Sequence, residues 1–75
     1  MVLSDLKNGE KAKIKNMRIT AQIKLRLYHL GVTEGVSVTL IRRAPFLDPI
    51  QIKVRDFYLA VRKNVADKIE IEYEH

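Results

Sequence analysis

Hydrophobic and polar residues alternate along five short segments of the chain. In the first segment, residues 10–16, Ala12 and Ile14 alternate with three lysines. The same period of two recurs in four further segments: residues 36–41, 50–55, 57–62 and 69–74. Successive side chains of a β-strand point to opposite faces, so each segment is typical of a strand with one buried and one solvated face. The pattern therefore predicts five short β-strands.

Residues 21–30, between the first two predicted strands, follow a helical period instead. Thr20 is a good N-cap, and Gly31 lies where a left-handed residue commonly ends a helix. Two apolar stripes lie on nearly opposite sides of this helix: Ile23, Leu27 and Leu30 on one, and Ala21, Leu25 and Tyr28 on the other. Because a surface helix usually has one apolar stripe, we predict that the N-terminal segment, through Val2, Leu3 and Leu6, covers the second. The alternative is that the second stripe faces a partner.

Five antiparallel strands with one α-helix between the first and the second predict a mainly β fold. Strands this short can curl into a small SH3-like barrel, which leaves little open edge. The main rival is the OB-fold, but its helix usually lies between the third and fourth strands. A chain of 75 residues is the size of one small domain. We therefore expect residues 1–75 to form a single SH3-type domain.

Composition excludes several classes of site. The chain has no cysteine, which removes disulfides, thiolate zinc sites and cysteine nucleophiles. No apolar run approaches the roughly 18 residues of a membrane span. The first residues lack the basic and apolar regions of a signal peptide. We expect a cytoplasmic protein with no membrane insertion.

The net charge of +5 is unevenly distributed. Residues 1–66 carry 13 basic and 5 acidic side chains, a net charge of +8, whereas residues 67–75 carry one basic and four acidic side chains, a net charge of −3. Two basic strips follow predicted strands: Lys11, Lys13, Lys15 and Arg18 in one, and Arg42, Arg43, Lys53 and Arg55 in the other. A basic surface favours nucleic acid, an anionic membrane or an acidic partner, or serves solubility alone. Because the aromatic residues are dispersed and form no stacking platform, nucleic-acid binding is a second alternative function and we expect no nucleic acid.

Catalytic chemistry has little support in the sequence. There is no glycine-rich phosphate-binding motif and no paired-histidine zinc motif. A candidate base, His29, has no nucleophile beside it in the sequence. We therefore predict a protein that is not an enzyme and has no cofactor.

Four residues are candidates for a metal site. Glu70, Glu72 and Glu74 share one face of the last predicted strand, where their carboxylates could gather a hard cation, and His29 is a candidate for a softer one. The same spacing is typical of a solvated strand face. A metal-binding or iron-responsive module, with ferrous iron as its ligand, is the first alternative function.

An apolar loop tip is the most unusual local feature. Phe46 and Leu47 lie between two prolines and follow a pair of arginines. Exposed apolar residues flanked by arginines form a candidate protein-contact knob, unless the pair folds back and closes the barrel end. The predicted partner-binding residues are Phe46, Leu47, Arg42 and Arg43, with Leu25 and Tyr28 as a second surface.

Two segments of the sequence have a familiar pattern and spacing. Residues 27–35 are LYHLGVTEG, and residues 38–50 are VTLIRRAPFLDPI. The first resembles the L-x-x-L-G-hydrophobic-x-x-G segment of FeoA proteins, and the second resembles that family's A-P-x-x-D-P stretch. The opening residues 3–10 and residues 52–62 are similar to the same family. Leu25 departs from it, because that position is usually charged.

The resemblance implies an SH3-like barrel and a cytoplasmic accessory role in ferrous iron uptake. FeoA proteins act with FeoB, a membrane transporter with a cytoplasmic GTP-binding domain. The same module forms the C-terminal domain of some iron-dependent repressors. We therefore predict a non-enzymatic protein that docks on a FeoB-type transporter and modulates it, and we leave weak self-association open.

Overall fold

Five antiparallel strands form one sheet in the computed structural model, which describes residues 1–43 and 48–74. The order across the sheet is β4-β3-β2-β1-β5, and each neighbouring pair is antiparallel. The strand bounds are β1 Lys11–Met17, β2 Ser37–Arg43, β3 Ile50–Val54, β4 Phe57–Val61 and β5 Ile69–Tyr73. All five predicted strands are confirmed, with ends that differ from the prediction by one or two residues.

Two irregularities bend this sheet. The register between β1 and β5 shifts between Ile14 and Asn16, and the register between β2 and β3 shifts between Leu40 and Arg42. Such bulges bend a strand and increase its twist. β1 is shared by both halves of the sheet, because it pairs with β2 at its start and with β5 along most of its length. The sheet curls as the predicted SH3-like fold requires.

The long helix α1, Ala21–His29, lies between β1 and β2, as predicted. The Thr20 hydroxyl accepts a hydrogen bond from the backbone N–H of Ile23 at 3.3 Å. At the other end Gly31 has a φ of 86°, which only glycine adopts without strain, and its N–H donates to the Tyr28 carbonyl. The Val32 N–H then donates to the Leu27 carbonyl, and the Val32 side chain is fully buried. The turn after α1 is therefore fixed by hydrogen bonds and by packing.

The inward faces of the strands make the core. Buried side chains alternate along β3 and the first part of β5, and also along β1 except at Lys15 and Asn16, where the bulge lies. The largest fully buried side chains are Leu3, Leu6, Ile14, Leu40, Ile50, Ile52, Ile69, Val32, Val38 and Val54. Among the described residues no polar or charged side chain is buried. The interior thus offers no polar site.

A one-turn helix, α2 (Lys63–Ala66), joins β4 to β5. Its cap comes from a distant loop, because the Asp48 carboxylate accepts a hydrogen bond from the Lys63 N–H at 2.9 Å. A carboxylate at this end also interacts favourably with the helix dipole. The aspartate of the A-P-x-x-D-P stretch therefore connects the loop before β3 to the turn before β5.

The N-terminal segment, residues 1–6, lies along β5. Val2 forms an isolated antiparallel bridge with Glu70, and the Ile71 N–H donates to the Met1 carbonyl at 2.9 Å. A short 3₁₀ turn, Leu3–Asp5, follows, and Leu3 and Leu6 are both fully buried. The segment is therefore part of the core. The prediction that it covers the second stripe of α1 is wrong, since Leu25 and Tyr28 stay exposed.

The hairpin between β3 and β4 turns through Arg55 and Asp56. Val54 pairs with Phe57, so the turn has two residues. Arg55 has a φ of 54°, in the left-handed region that costs a residue with a Cβ about 1–2 kcal/mol. The hairpin is thus closed by a strained arginine.

Candidate functional site

The outer face of α1 is an exposed apolar surface. Leu25 is 56% exposed and Tyr28 is 61% exposed. Together with Ala21, Lys24 and Thr33 they line one shallow depression, which we call the α1 outer face. Large side chains this exposed leave apolar area in water that a partner could cover. The two sequence-predicted residues Leu25 and Tyr28 therefore lie together.

The inner face of α1, with Ile23, Leu27 and Leu30, packs on the sheet only in part. Leu27 is buried and Ile23 is half-buried, whereas Leu30 is 38% exposed. Leu30 is the C-cap residue of α1. Its side chain lines a second apolar cleft, which lies between α1 and β4. Arg26 and Arg62 also line that cleft. No local pattern in the sequence indicates this cleft, because the cleft depends on the distance between α1 and β4.

The two arginines at the end of β2 have different surroundings. Arg42 is exposed, and its Nε donates to the Gln51 amide oxygen at 3.2 Å. Arg43 is half-buried, and one Nη donates to the backbone carbonyls of both Ser4 and Leu6. The Arg43 guanidinium thus holds the N-terminal segment, and its role as a partner contact stays a prediction. Phe46 and Leu47, the predicted knob, lie outside the described residues.

The four candidate metal ligands do not converge. Glu70 forms an ion pair with Arg18 at 2.8 Å, and the Glu74 carboxylate accepts a hydrogen bond from the Ser37 hydroxyl. His29 lies at the end of α1, where its ring is 6.0 Å from that of Tyr28. Within residues 1–43 and 48–74, no group of three or more His, Asp or Glu side chains could hold a metal ion. Metal binding at these residues stays a prediction.

Two side chains in the C-terminal part of the chain, Asp67 and Tyr73, have perturbed pKa values. The Ser4 hydroxyl, which donates to the Asp67 carboxylate, lowers the pKa of Asp67, with a further contribution from Lys63. Desolvation raises the pKa of Tyr73, and the nearby Glu10 carboxylate adds to the effect. Both residues take part in contacts between segments of the fold. The perturbed pKa values therefore arise from contacts that hold the fold together.

The arrangement defines a class of protein: a small SH3-like barrel with an apolar helix face open to solvent. Residues 1–73 match the FeoA domain, and the chain belongs to the FeoA family. The predicted resemblance is confirmed. None of the helices in the described ranges is long and apolar enough to cross a membrane.

Individual relatives agree with this assignment. The chain is 31% identical over 72 residues to an Fe(2+) transport protein A/Fe(2+) transporter FeoB fusion protein of Porphyromonas gingivalis. The match covers 96% of this chain and 8% of that relative's length. The chain thus corresponds to one small part of the fusion protein.

Solved structures of FeoA proteins have the same fold. The solution structure of FeoA from Chlorobium tepidum is 31% identical with a TM-score of 0.96, covering 100% of this chain and 71% of that one. The zinc complex of FeoA from Stenotrophomonas maltophilia, described as an SH3 domain protein, is 25% identical with a TM-score of 0.80. That match covers 96% of this chain and 89% of the other. The SH3-like fold predicted from the strand pattern is confirmed.

Proposed function

We propose that this protein is a non-enzymatic cytoplasmic accessory factor of ferrous iron uptake. In this role it docks on the cytoplasmic part of a FeoB-type transporter and modulates it. Membership of the FeoA family supports the process, and the Porphyromonas gingivalis fusion protein supports the partner. In that relative, a segment like this chain and a FeoB transporter are parts of one polypeptide. Two modules that are fused in one protein commonly act on one another when they are separate.

The α1 outer face is the docking surface that we favour. It offers two large apolar side chains, Leu25 and Tyr28, that the rest of the described fold leaves uncovered. Binding energy at interfaces is concentrated in a few anchor side chains, among which tyrosine is enriched. The helix also has Arg26 and His29 in its last turn, both exposed. We therefore expect the partner's surface to be apolar at its centre and acidic at its rim.

A titration with the transporter's cytoplasmic domain tests the proposal. Adding that domain to the ¹⁵N-labelled protein should shift the amide resonances of residues 21–29. The double variant Leu25→Ser/Tyr28→Ser should weaken binding more than about tenfold, since each anchor of this kind contributes more than about 1 kcal/mol.

Tyr58→Ser is the matched control. Tyr58 is 57% exposed, like the two anchors, but it lies on β4 and not on α1. Tyr58→Ser should change the affinity for the transporter's cytoplasmic domain by less than about twofold, because surface changes outside an interface have small effects. Absence of shifts at near-millimolar concentrations would rule out docking on that domain. An equal loss in the control would rule out the α1 outer face as the docking surface.

A further inference from the structure

Two rows of side chains on the solvated face of the sheet have the same chemical order. Lys11 pairs with Thr39, and Thr39 pairs with Lys53, so the first row is cation, hydroxyl, cation. Directly opposed residues of antiparallel strands point to the same face with Cβ atoms about 5 Å apart. All three side chains reach solvent. The Thr39 hydroxyl is therefore flanked by an ammonium group on each side.

The second row repeats this order two residues along each strand. Lys13 pairs with Ser37. The last β2–β3 pair at this end is Val38 with Val54, so Arg55, one residue further along, lies opposite Ser37. Three lysines on neighbouring strands and Arg55 in the turn after β3 thus lie around two hydroxyls. The two basic strips of the sequence each contribute two of the four, and the strand register brings them together.

A shallow depression lies between the rows, and we call it the basic depression. Its walls include Lys11, Ser37, Thr39, Lys53 and Arg55. Where the structure describes side chains, the ion pairs are Arg18–Glu70, Lys24–Glu34 and Lys63–Asp67, and none of them involves these cations. Neighbouring like charges repel one another, so an anion bound between them relieves that repulsion as well as gaining its own attraction.

Arg55 adds an independent observation. It holds a left-handed backbone conformation that glycine or asparagine would adopt at lower cost. Strain of this kind is often found where a side chain has a functional task. At this turn the strained residue is the one that places a guanidinium beside the basic depression.

The geometry points to an oligophosphate group as the ligand of the basic depression. Two strand spacings separate Lys11 from Lys53, which is about 10 Å. That span exceeds a single phosphate and suits two or three linked ones. Lysine and arginine are the common ligands of phosphate oxygens. The Thr39 hydroxyl adds a donor, whereas the Ser37 hydroxyl already donates to the Glu74 carboxylate.

The borders of the depression favour a small ligand over a nucleic-acid strand. On the β5 side, Glu72 pairs with Lys13, and the Glu74 carboxylate accepts a hydrogen bond from Ser37. These carboxylates interrupt the basic surface, whereas a nucleic-acid groove needs a continuous basic track. On the β4 side the first row continues into Tyr58, whose ring lies 5.8 Å from the Lys53 Nζ. Tyr58 could stack on the base of a nucleotide.

A titration of the whole protein with inorganic tripolyphosphate tests the inference at constant ionic strength. The amides of residues 37–39 and 53–55 should shift in a saturable way. Lys53→Gln should weaken binding by about two- to fivefold, as expected for one exposed charge pair. Lys68→Gln, which makes the same change in net charge on the exposed loop before β5, should have no effect. Glu74→Gln should tighten binding, because it removes a carboxylate from the border.

Arg55→Gly separates this role from a structural one. The variant should raise the melting temperature by up to about 4–8 °C, because the strain that it removes outweighs the extra chain entropy of glycine, and should at the same time weaken tripolyphosphate binding. A stabilised variant that binds as well as the parent protein would overturn the inference.

ATP and a mixed-sequence oligonucleotide identify the source of the phosphates. If Tyr58→Ala weakens the binding of ATP but not the binding of tripolyphosphate, the ligand is a nucleotide. If it affects neither, the ligand is a free oligophosphate, and both results support the inference. Shifts without saturation, an equal loss in Lys68→Gln, or an oligonucleotide that saturates at lower phosphate concentration than tripolyphosphate would overturn it. The inference is independent of the proposed docking, since it uses a different face.

Discussion

The N-terminal segment and the α1 outer face contain similar apolar side chains with opposite surroundings. Leu3 and Leu6 are fully buried, and the carbonyls of Ser4 and Leu6 accept hydrogen bonds from Arg43. The α1 outer face is more than half exposed at both of its large side chains. The difference arises because the N-terminal segment pairs with the edge of β5, whereas no described element packs on the outside of α1. Apolar character alone therefore does not distinguish a core residue from an exposed one in this fold.

The largest expected difference between the two regions is in stability. Leu6→Ala removes a fully buried side chain and should lower the free energy of unfolding by about 2–5 kcal/mol. Leu25→Ala should change it by less than about 0.5 kcal/mol, because the side chain is already largely in water. Urea unfolding of both variants measures the two values. Equal losses would mean that the α1 outer face is covered in solution.

Removing the Arg43 guanidinium, which holds the N-terminal segment, should lower the stability by a smaller amount. Arg43→Met leaves two backbone carbonyls without their donor and should cost about 1–3 kcal/mol of unfolding free energy. Arg42→Met is the matched control, since that side chain is exposed and donates only to Gln51. It should stay within about 0.5 kcal/mol of the parent protein. A control that loses as much as Arg43→Met would show that the loss comes from net charge.

The contact between the N-terminal segment and Asp67 should also make the stability depend on pH, with a smaller effect. The pKa of Asp67 is lowered by the Ser4 hydroxyl and by Lys63, so the folded state favours the ionised carboxylate. This contribution to stability is present above the ordinary aspartate pKa of about 4 and is lost as the pH falls through the lowered value. The urea midpoint should therefore fall less between pH 6 and pH 3 in Asp67→Asn than in the parent protein.

Local signals in the sequence were enough to predict the elements of the fold. The alternation along β1 and β5, the cap at Thr20 and the stop at Gly31 each act within a few residues, so the pattern determines them. The family motifs added the fold type. The strain at Arg55 could not be predicted, since it appears only once the register of the β3–β4 hairpin is known.

Contacts between distant segments account for what the sequence did not predict. The N-terminal segment lies along β5 through the Val2–Glu70 bridge. These two residues are 68 positions apart in the chain, and no periodic pattern in the sequence predicts such a pairing. For the same reason the sequence could not show that Arg43 reaches Ser4 and Leu6, or that Lys11 and Lys53 flank Thr39. The sequence therefore predicted individual candidate residues, but not which of them lie together on one surface.

Amide hydrogen exchange with and without the transporter's cytoplasmic domain tests the central claim most directly, since it compares the two regions in one experiment. The account predicts that the bound domain slows exchange along α1, Ala21–His29, where the apolar face becomes covered. It also predicts no change in residues 3–6, which are already packed into the core. Slower exchange at residues 3–6 with α1 unchanged would contradict the account.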